Sequence, residues 1–224
     1  MKKKWTILAL AAVALIAVAA AILCRRKPEP MTTHYQQRVS TFAEQTPDLI
    51  GKPIDVVFLG DSLTELYDLQ NYYPQYVTVN RGICGDSTHG LLKRMELSAY
   101  CLKPKVAVVL IGVNNLGTMM DDYEQILVGL RDNLPDTKVV LLSLTAMGGT
   151  WAERIPLAMA HNERIAALAQ EYGFEYVDLF TAQTDPATGQ IRPEYTTDGG
   201  HQTAAGYEVF TAEITPVLEK LLGY

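Results

Sequence analysis

The chain has only three cysteines, Cys24, Cys84 and Cys101, among 224 residues. Three cannot build a disulfide framework, and without a Cys-x-x-Cys pair they do not encode a zinc ribbon. Cys84 and Cys101 read as two isolated buried thiols, with pairing open to them in an oxidising compartment. His-Glu-x-x-His is missing, as is any carboxylate run of metal-binding type, so the sequence calls for no metal and no other cofactor. Gly-x-Gly-x-x-Gly and a Walker loop are also missing, which argues against a nucleotide binder. Positive charge is scarce outside the N-terminus. Residues 1–27 carry six basic groups and no acidic ones, leaving 13 basic against 25 acidic residues and a net charge of −12 for the rest. A body that acidic is repelled by nucleic acid, and a nucleic-acid partner is excluded on that ground.

Long apolar runs are rare too, with one exception. Trp5 to Leu23 is 19 residues long and only Thr6 in it is polar. As a helix it spans roughly 28 Å, close to the thickness of a bilayer core. Lys2–Lys4 precede it and Arg25–Lys27 follow it. We read residues 1–27 as an N-terminal membrane anchor, with the remaining chain outside the cytoplasm. Two alternatives stay open. Ala19-Ala20-Ala21 offers a signal-peptidase site that would leave a secreted or periplasmic protein, and Cys24 offers a lipidation site. Residues 28–50 follow as a stiff Pro-Glu-Pro linker and an outer helix over 32–46.

From residue 51 to 224 the chain alternates apolar runs with amphipathic stretches. Residues 54–59, 76–80, 106–111, 138–144 and 174–179 read as strands whose continuous β-branched character suits a sheet covered on both faces. Helical spacing appears over 86–102, 119–133 and 156–172, and a last helix is expected from Thr203 to Leu222 with Pro216 as a candidate kink. Five strands separated by helices predict one doubly wound, three-layer α/β/α domain with a five-stranded parallel sheet. In such folds chemistry gathers beyond the carboxyl ends of the strands.

The polar residues at those ends are distinctive. Gly60-Asp61-Ser62-Leu63 follows the first strand and sets Ser62 in the first turn of a helix. It is not the Gly-x-Ser-x-Gly elbow, which the chain lacks. Asn80-Arg81-Gly82-Ile83-Cys84-Gly85-Asp86 follows the second strand, where a glycine N–H can face a developing oxyanion. Gly112-Val113-Asn114-Asn115 follows the third, where an amide side chain can do the same. Asp198-Gly199-Gly200-His201 precedes the last helix, and its three-residue separation lets the carboxylate orient the imidazole. Each block alone also reads as an ordinary cap or turn. His34, His89 and His161, the other histidines, sit in helical stretches as surface or capping residues.

Together, in this order, the four blocks resemble the SGNH hydrolases, the GDSL-type esterase/lipase family, over roughly residues 54–222. The resemblance implies a flavodoxin-like fold and a serine esterase. Ser62 would be the nucleophile, Asp198 and His201 would complete its triad, and the Ser62 amide, Gly82 and Asn114 would form an oxyanion hole. Asn115 departs from the commoner Asp and is similar to the branch of platelet-activating-factor acetylhydrolase subunits. The loop after the fourth strand carries Trp151, a candidate for lining the acyl site or stacking on a sugar, with a loop-anchoring role as the alternative. No insertion is large enough for a lid, which favours small acyl groups such as acetyl esters on carbohydrates. Lysophospholipid or thioester hydrolysis, and a non-catalytic binding protein, remain the alternatives.

Overall fold

A computed structural model describes residues 33–223. The apolar run and the Pro28-Glu29-Pro30 linker lie outside the described residues. Among the described residues, no helix is long and apolar enough to cross a membrane.

Five parallel strands, β1 (Val56–Gly60), β2 (Thr78–Gly82), β3 (Val106–Leu110), β4 (Lys138–Leu142) and β5 (Glu175–Val177), form one sheet in the order β2-β1-β3-β4-β5. This is the doubly wound arrangement expected. Its topological switch lies between β1 and β3, where neighbouring connections leave on opposite faces and open a crevice. β1 and β3 are buried along their whole length. Alternation along the strands divides the core in two. Val57, Leu59, Val109 and Leu141 pack with α5 (Met120–Asn133) and α6 (Ile155–Tyr172). Val56, Phe58, Val108 and Val140 face the other way, onto α8 (Ala204–Leu222).

Helix α1 (Thr33–Leu49) meets β2 through the Arg81 side chain, on the sheet face that also carries Leu59. The fully buried Arg81 of β2 lays its guanidinium 4.5 Å from the Phe42 ring centre and donates to Gln45 Oε1 and Thr46 Oγ1.

Of the boundaries that differ from the sequence expectation, three have a local cause that can be named. β2 begins two residues later than expected, because Tyr76 closes a turn on the Tyr73 carbonyl and the Val77 N–H is taken by the Asp55 carboxylate. The expected helix over 86–102 breaks into α4 (Thr88–Lys93) and a π-helical turn (Glu96–Tyr100), separated where Arg94 turns its side chain into the interior. β5 stops at Val177 because Asp178 caps α7 (Leu179–Gln183). α8 starts with Thr203 as its cap, as expected, and continues as helix through Pro216.

Candidate active site

β1 ends at Gly60, and the chain folds straight back into the four-residue helix α2 (Ser62–Glu65), with a second short helix, α3 (Leu69–Tyr72), after it. A Cβ on Gly60 would lie 2.1 Å from Thr64 Oγ1 and 2.3 Å from the Leu110 carbonyl, so only glycine lets α2 pack this close. Asp61 caps α2 by accepting the Leu63 N–H at 3.1 Å. Ser62 therefore stands at the switch point, on the first residue of a helix.

His201 arrives from the loop before α8. Its Nε2 lies 3.1 Å from Ser62 Oγ, and its Nδ1 lies 2.7 Å from Asp198 Oδ2. The other Asp198 oxygen accepts the backbone N–H groups of Gly200 and His201 at 2.9 and 2.8 Å. Three N–H groups thus fix the carboxylate, and the carboxylate fixes the ring. The bond from His201, with these backbone bonds behind it, holds the Asp198 carboxyl down at about 2. It stays ionised in mild acid, so the ring keeps its orienting partner there. The structure brings Ser62, Asp198 and His201 together as one connected chain. The other three histidines engage elsewhere: His34 with Glu65, His89 with Asp122, and His161 with the Leu116 carbonyl.

Asn114 lies in a 3₁₀ turn after β3 (Val113–Asn115) and lines the same cleft as Ser62. Its Nδ2 donates one hydrogen to the Asp86 carbonyl at 2.9 Å, which leaves the second hydrogen for a ligand. Asn115 braces the turn from the other side by accepting the Thr88 N–H and donating to Thr88 Oγ1.

Gly82 is where the expected donor set needs correction. β2 is the edge strand, so the Gly82 N–H points away from β1, and the Asn80 side chain takes it at 2.9 Å. Gly82 is needed for packing instead: a Cβ there would meet the Glu65 nitrogen at 2.2 Å. The amides of Ile83, Cys84, Asp86 and Ser87 are also occupied, by the Gly60 carbonyl, Glu65, the Ile83 carbonyl and the Asp86 carboxylate. The Gly85 amide has no acceptor among the described residues and is the one left open in this loop.

Beneath the loop lies a buried pair that the sequence reading took only as a helix cap. Arg94 donates from Nε and NH2 to Asp86 Oδ2 at 2.9 and 2.7 Å. It also reaches the Arg81 and Gly60 carbonyls and Ser98 Oγ. One guanidinium thus ties the ends of β1 and β2 to the segment whose carbonyl holds Asn114.

Asp61 is buried next to Ser62 at 1% exposure, and this burial pushes its carboxyl up to about 7. Its folded-state value lies above that of the unfolded chain, so its contribution is complete below the unfolded value and is lost as pH rises through about 7. Asparagine keeps the cap without the charge. The Asp61→Asn variant should therefore gain melting temperature on the parent as pH climbs from about 4 to about 7, by up to about 4 kcal/mol in stability. Calorimetry at several pH values checks this, and parallel profiles would refute it.

The cleft is lined by Ser62, Asn114, Thr145, Met147, Trp151 and His201, among others, and has a volume of about 40 Å³. That is room for about three or four water molecules. Trp151 reaches it because the loop after β4 is pinned to the histidine loop by the Gly148 N–H on the Gly199 carbonyl, at 2.8 Å. Trp151 both lines the cleft and packs on the core, and Arg154 stacks on its ring at 4.4 Å. Cys84 and Cys101 are unpaired thiols, half-buried rather than buried. Burial, with Glu65 beside it, pushes the Cys84 thiol up to about 12, so it offers no competing nucleophile.

The chain is 33% identical over 113 residues to the alpha1 subunit of platelet-activating factor acetylhydrolase IB from Bos taurus, covering 45% of this chain and 47% of that one. The chain thus spans about half the length of the curated relatives it matches. A GDSL-like lipase from Bacteroides thetaiotaomicron shares the fold at a TM-score of 0.73, with 23% identity over 81% of this chain and 97% of that one. An acetylxylan esterase from Geobacillus stearothermophilus does so at 0.60, with 19% identity over 79% and 97%. The model of the GDSL-like lipase/acylhydrolase family matches residues 58–209, from the strand that carries Ser62 to the helix that follows His201. By that match the chain belongs to the GDSL-like lipase/acylhydrolase family and is a hydrolase of ester bonds.

Proposed function

We propose that the chain is a serine esterase that removes small acyl groups, acetyl above all, from carbohydrate alcohols through an acyl-enzyme on Ser62. The observation that carries this reading is the unbroken Ser62–His201–Asp198 chain at the mouth of a cleft of about 40 Å³. His201 Nε2 takes the Ser62 proton as Oγ attacks the ester carbonyl. The oxyanion forms toward the Ser62 amide, the Gly85 amide and the second hydrogen of Asn114 Nδ2. The alcohol leaves with the proton held by His201. Water then adds to the acyl-enzyme by the same path, freeing the acid and restoring Ser62.

A small acyl group is favoured by the narrowness of the cleft beside Ser62. Two of the similar proteins are named for acetyl esters of different alcohols. For the alcohol, a sugar is favoured by Trp151, whose indole lines the cleft with Arg154 stacked on it. Attachment to a membrane, with this domain outside the cytoplasm, belongs to the same proposal and rests on the apolar run Trp5–Leu23 alone.

Turnover of p-nitrophenyl acetate, butyrate and octanoate, set beside acetylated xylo-oligosaccharides, tests the reading. The value of kcat/KM should fall at least about tenfold from acetate to octanoate. Rates that rise with chain length would point instead to a lysophospholipase or thioesterase.

A further inference from the structure

Glu65, the last residue of α2, sits one helical turn beyond Ser62 and takes no part in the triad. Its carboxylate collects partners from two distant segments. His34, from the start of α1, places Nε2 2.9 Å from Glu65 Oε2, and the Cys84 amide donates to the same oxygen. Arg38, one turn along α1, places Nε 3.1 Å from the other oxygen, Oε1. The Cys84 side chain turns into this cluster as well. His34 nitrogen, a Glu65 oxygen and Cys84 sulfur all lie within 4.8 Å of one another.

We infer that His34, Glu65 and Cys84 form a site for a zinc-class divalent cation, separate from the ester-cleaving centre and independent of the reading given for it. Imidazole nitrogen, thiolate sulfur and one carboxylate oxygen are the donor types that borderline-soft Zn²⁺ selects over Mg²⁺ or Ca²⁺. In a tetrahedral zinc site the ligand atoms stand roughly 3.4 Å apart, so shifts of about an ångström in side chains close the cluster around the metal. Arg38 stays on Oε1 and steers Oε2 toward the ion, as outer partners do at carboxylate-ligated metals. The His34 side chain is 45% exposed and Glu65 only 14%, which gives the ion a path in from solvent and a shielded seat. On binding, the Cys84 thiol gives up its proton to solvent, and the His34 ring carries its proton on Nδ1 so that Nε2 can ligate. Three protein ligands leave the fourth position to water. No spacing rule could find this site, because its ligands are 31 and 19 residues apart in the chain.

The consequence is mechanical. The cation joins α1, the helix that follows the N-terminal segment, to the end of α2 and to the loop that holds the open Gly85 amide. Zinc should therefore raise the melting temperature and release about one proton per site at neutral pH.

The test is a titration of the detergent-solubilised full chain, stripped with a chelator, first with CoCl₂ and then with ZnCl₂. One equivalent of cobalt should give a near-ultraviolet thiolate-to-cobalt band with visible bands of tetrahedral intensity, and zinc should erase both. Cys84→Ser should abolish the thiolate band, whereas Cys101→Ser should keep it. His34→Ala changes a half-exposed side chain with no risk to the fold, and should weaken binding about tenfold or more. A missing thiolate band, a band that persists in Cys84→Ser, or affinity unchanged in His34→Ala would each overturn the assignment.

Discussion

Ser62→Ala lowers kcat toward p-nitrophenyl acetate by about 10⁴-fold or more and leaves the fold intact. The size of the loss follows from what remains. Alanine fills the same buried position and keeps the Asp61 cap, the α2 turn and the amides aimed at the oxyanion. Only the atom that His201 deprotonates is gone, and with it the acyl-enzyme path. His201→Ala should cost nearly as much, and the double variant little more, because the two residues act as one unit. Steady-state kinetics on all three variants checks this. Losses that multiply in the double variant would mean that Ser62 and His201 act separately.

The second large effect is on stability, at a residue that touches no substrate. Arg94→Met should destabilise the protein by about 3–5 kcal/mol, because it leaves the Asp86 carboxylate buried without its partner. For a domain of this size that lowers the melting temperature by about 10 °C. Two further acceptors, the carbonyls of Arg81 and Gly60, lose the guanidinium as a donor at the same time, and Gly60 keeps its bond from the Ile83 amide. Lysine does not rescue the position, since one ammonium cannot serve four acceptors in the plane that the guanidinium spans. Adding Asp86→Asn to Arg94→Met should recover part of the loss by removing the stranded charge. Thermal melts of the single and double variants measure both effects, and equal melting of Arg94→Met and the parent would contradict the role given to this pair.

The catalytic chain was legible from the sequence because its members sit where parallel α/β sheets gather chemistry. Ser62 and Asn114 each follow a strand, and His201 stands three positions after Asp198. The sheet type was legible for a related reason: β1 and β3 are apolar throughout, as strands covered on both faces must be. What stayed hidden depended on side chains that reach across the fold. The choice between Gly82 and Gly85 turns on one bond, from the Gly82 amide to Asn80 Oδ1, and both glycines sit in the same short block. The break in the helix after β2 was hidden because Arg94 reads as a surface residue on any helical pattern. Its burial shows only once β1 and β2 bring their carbonyls to it. Likewise, nothing in the local sequence placed His34 beside Glu65. That contact exists because α1 is held against β2 by Phe42 and Arg81.

The central assignment, Ser62 as an activated nucleophile, is tested most directly by trapping. The chain is incubated with a fluorophosphonate, digested and mapped by mass spectrometry. A single adduct should appear on the peptide that contains Ser62, and it should disappear in His201→Ala, where the base is gone while the serine remains. An adduct on another serine, or no adduct on the folded protein, would contradict the assignment.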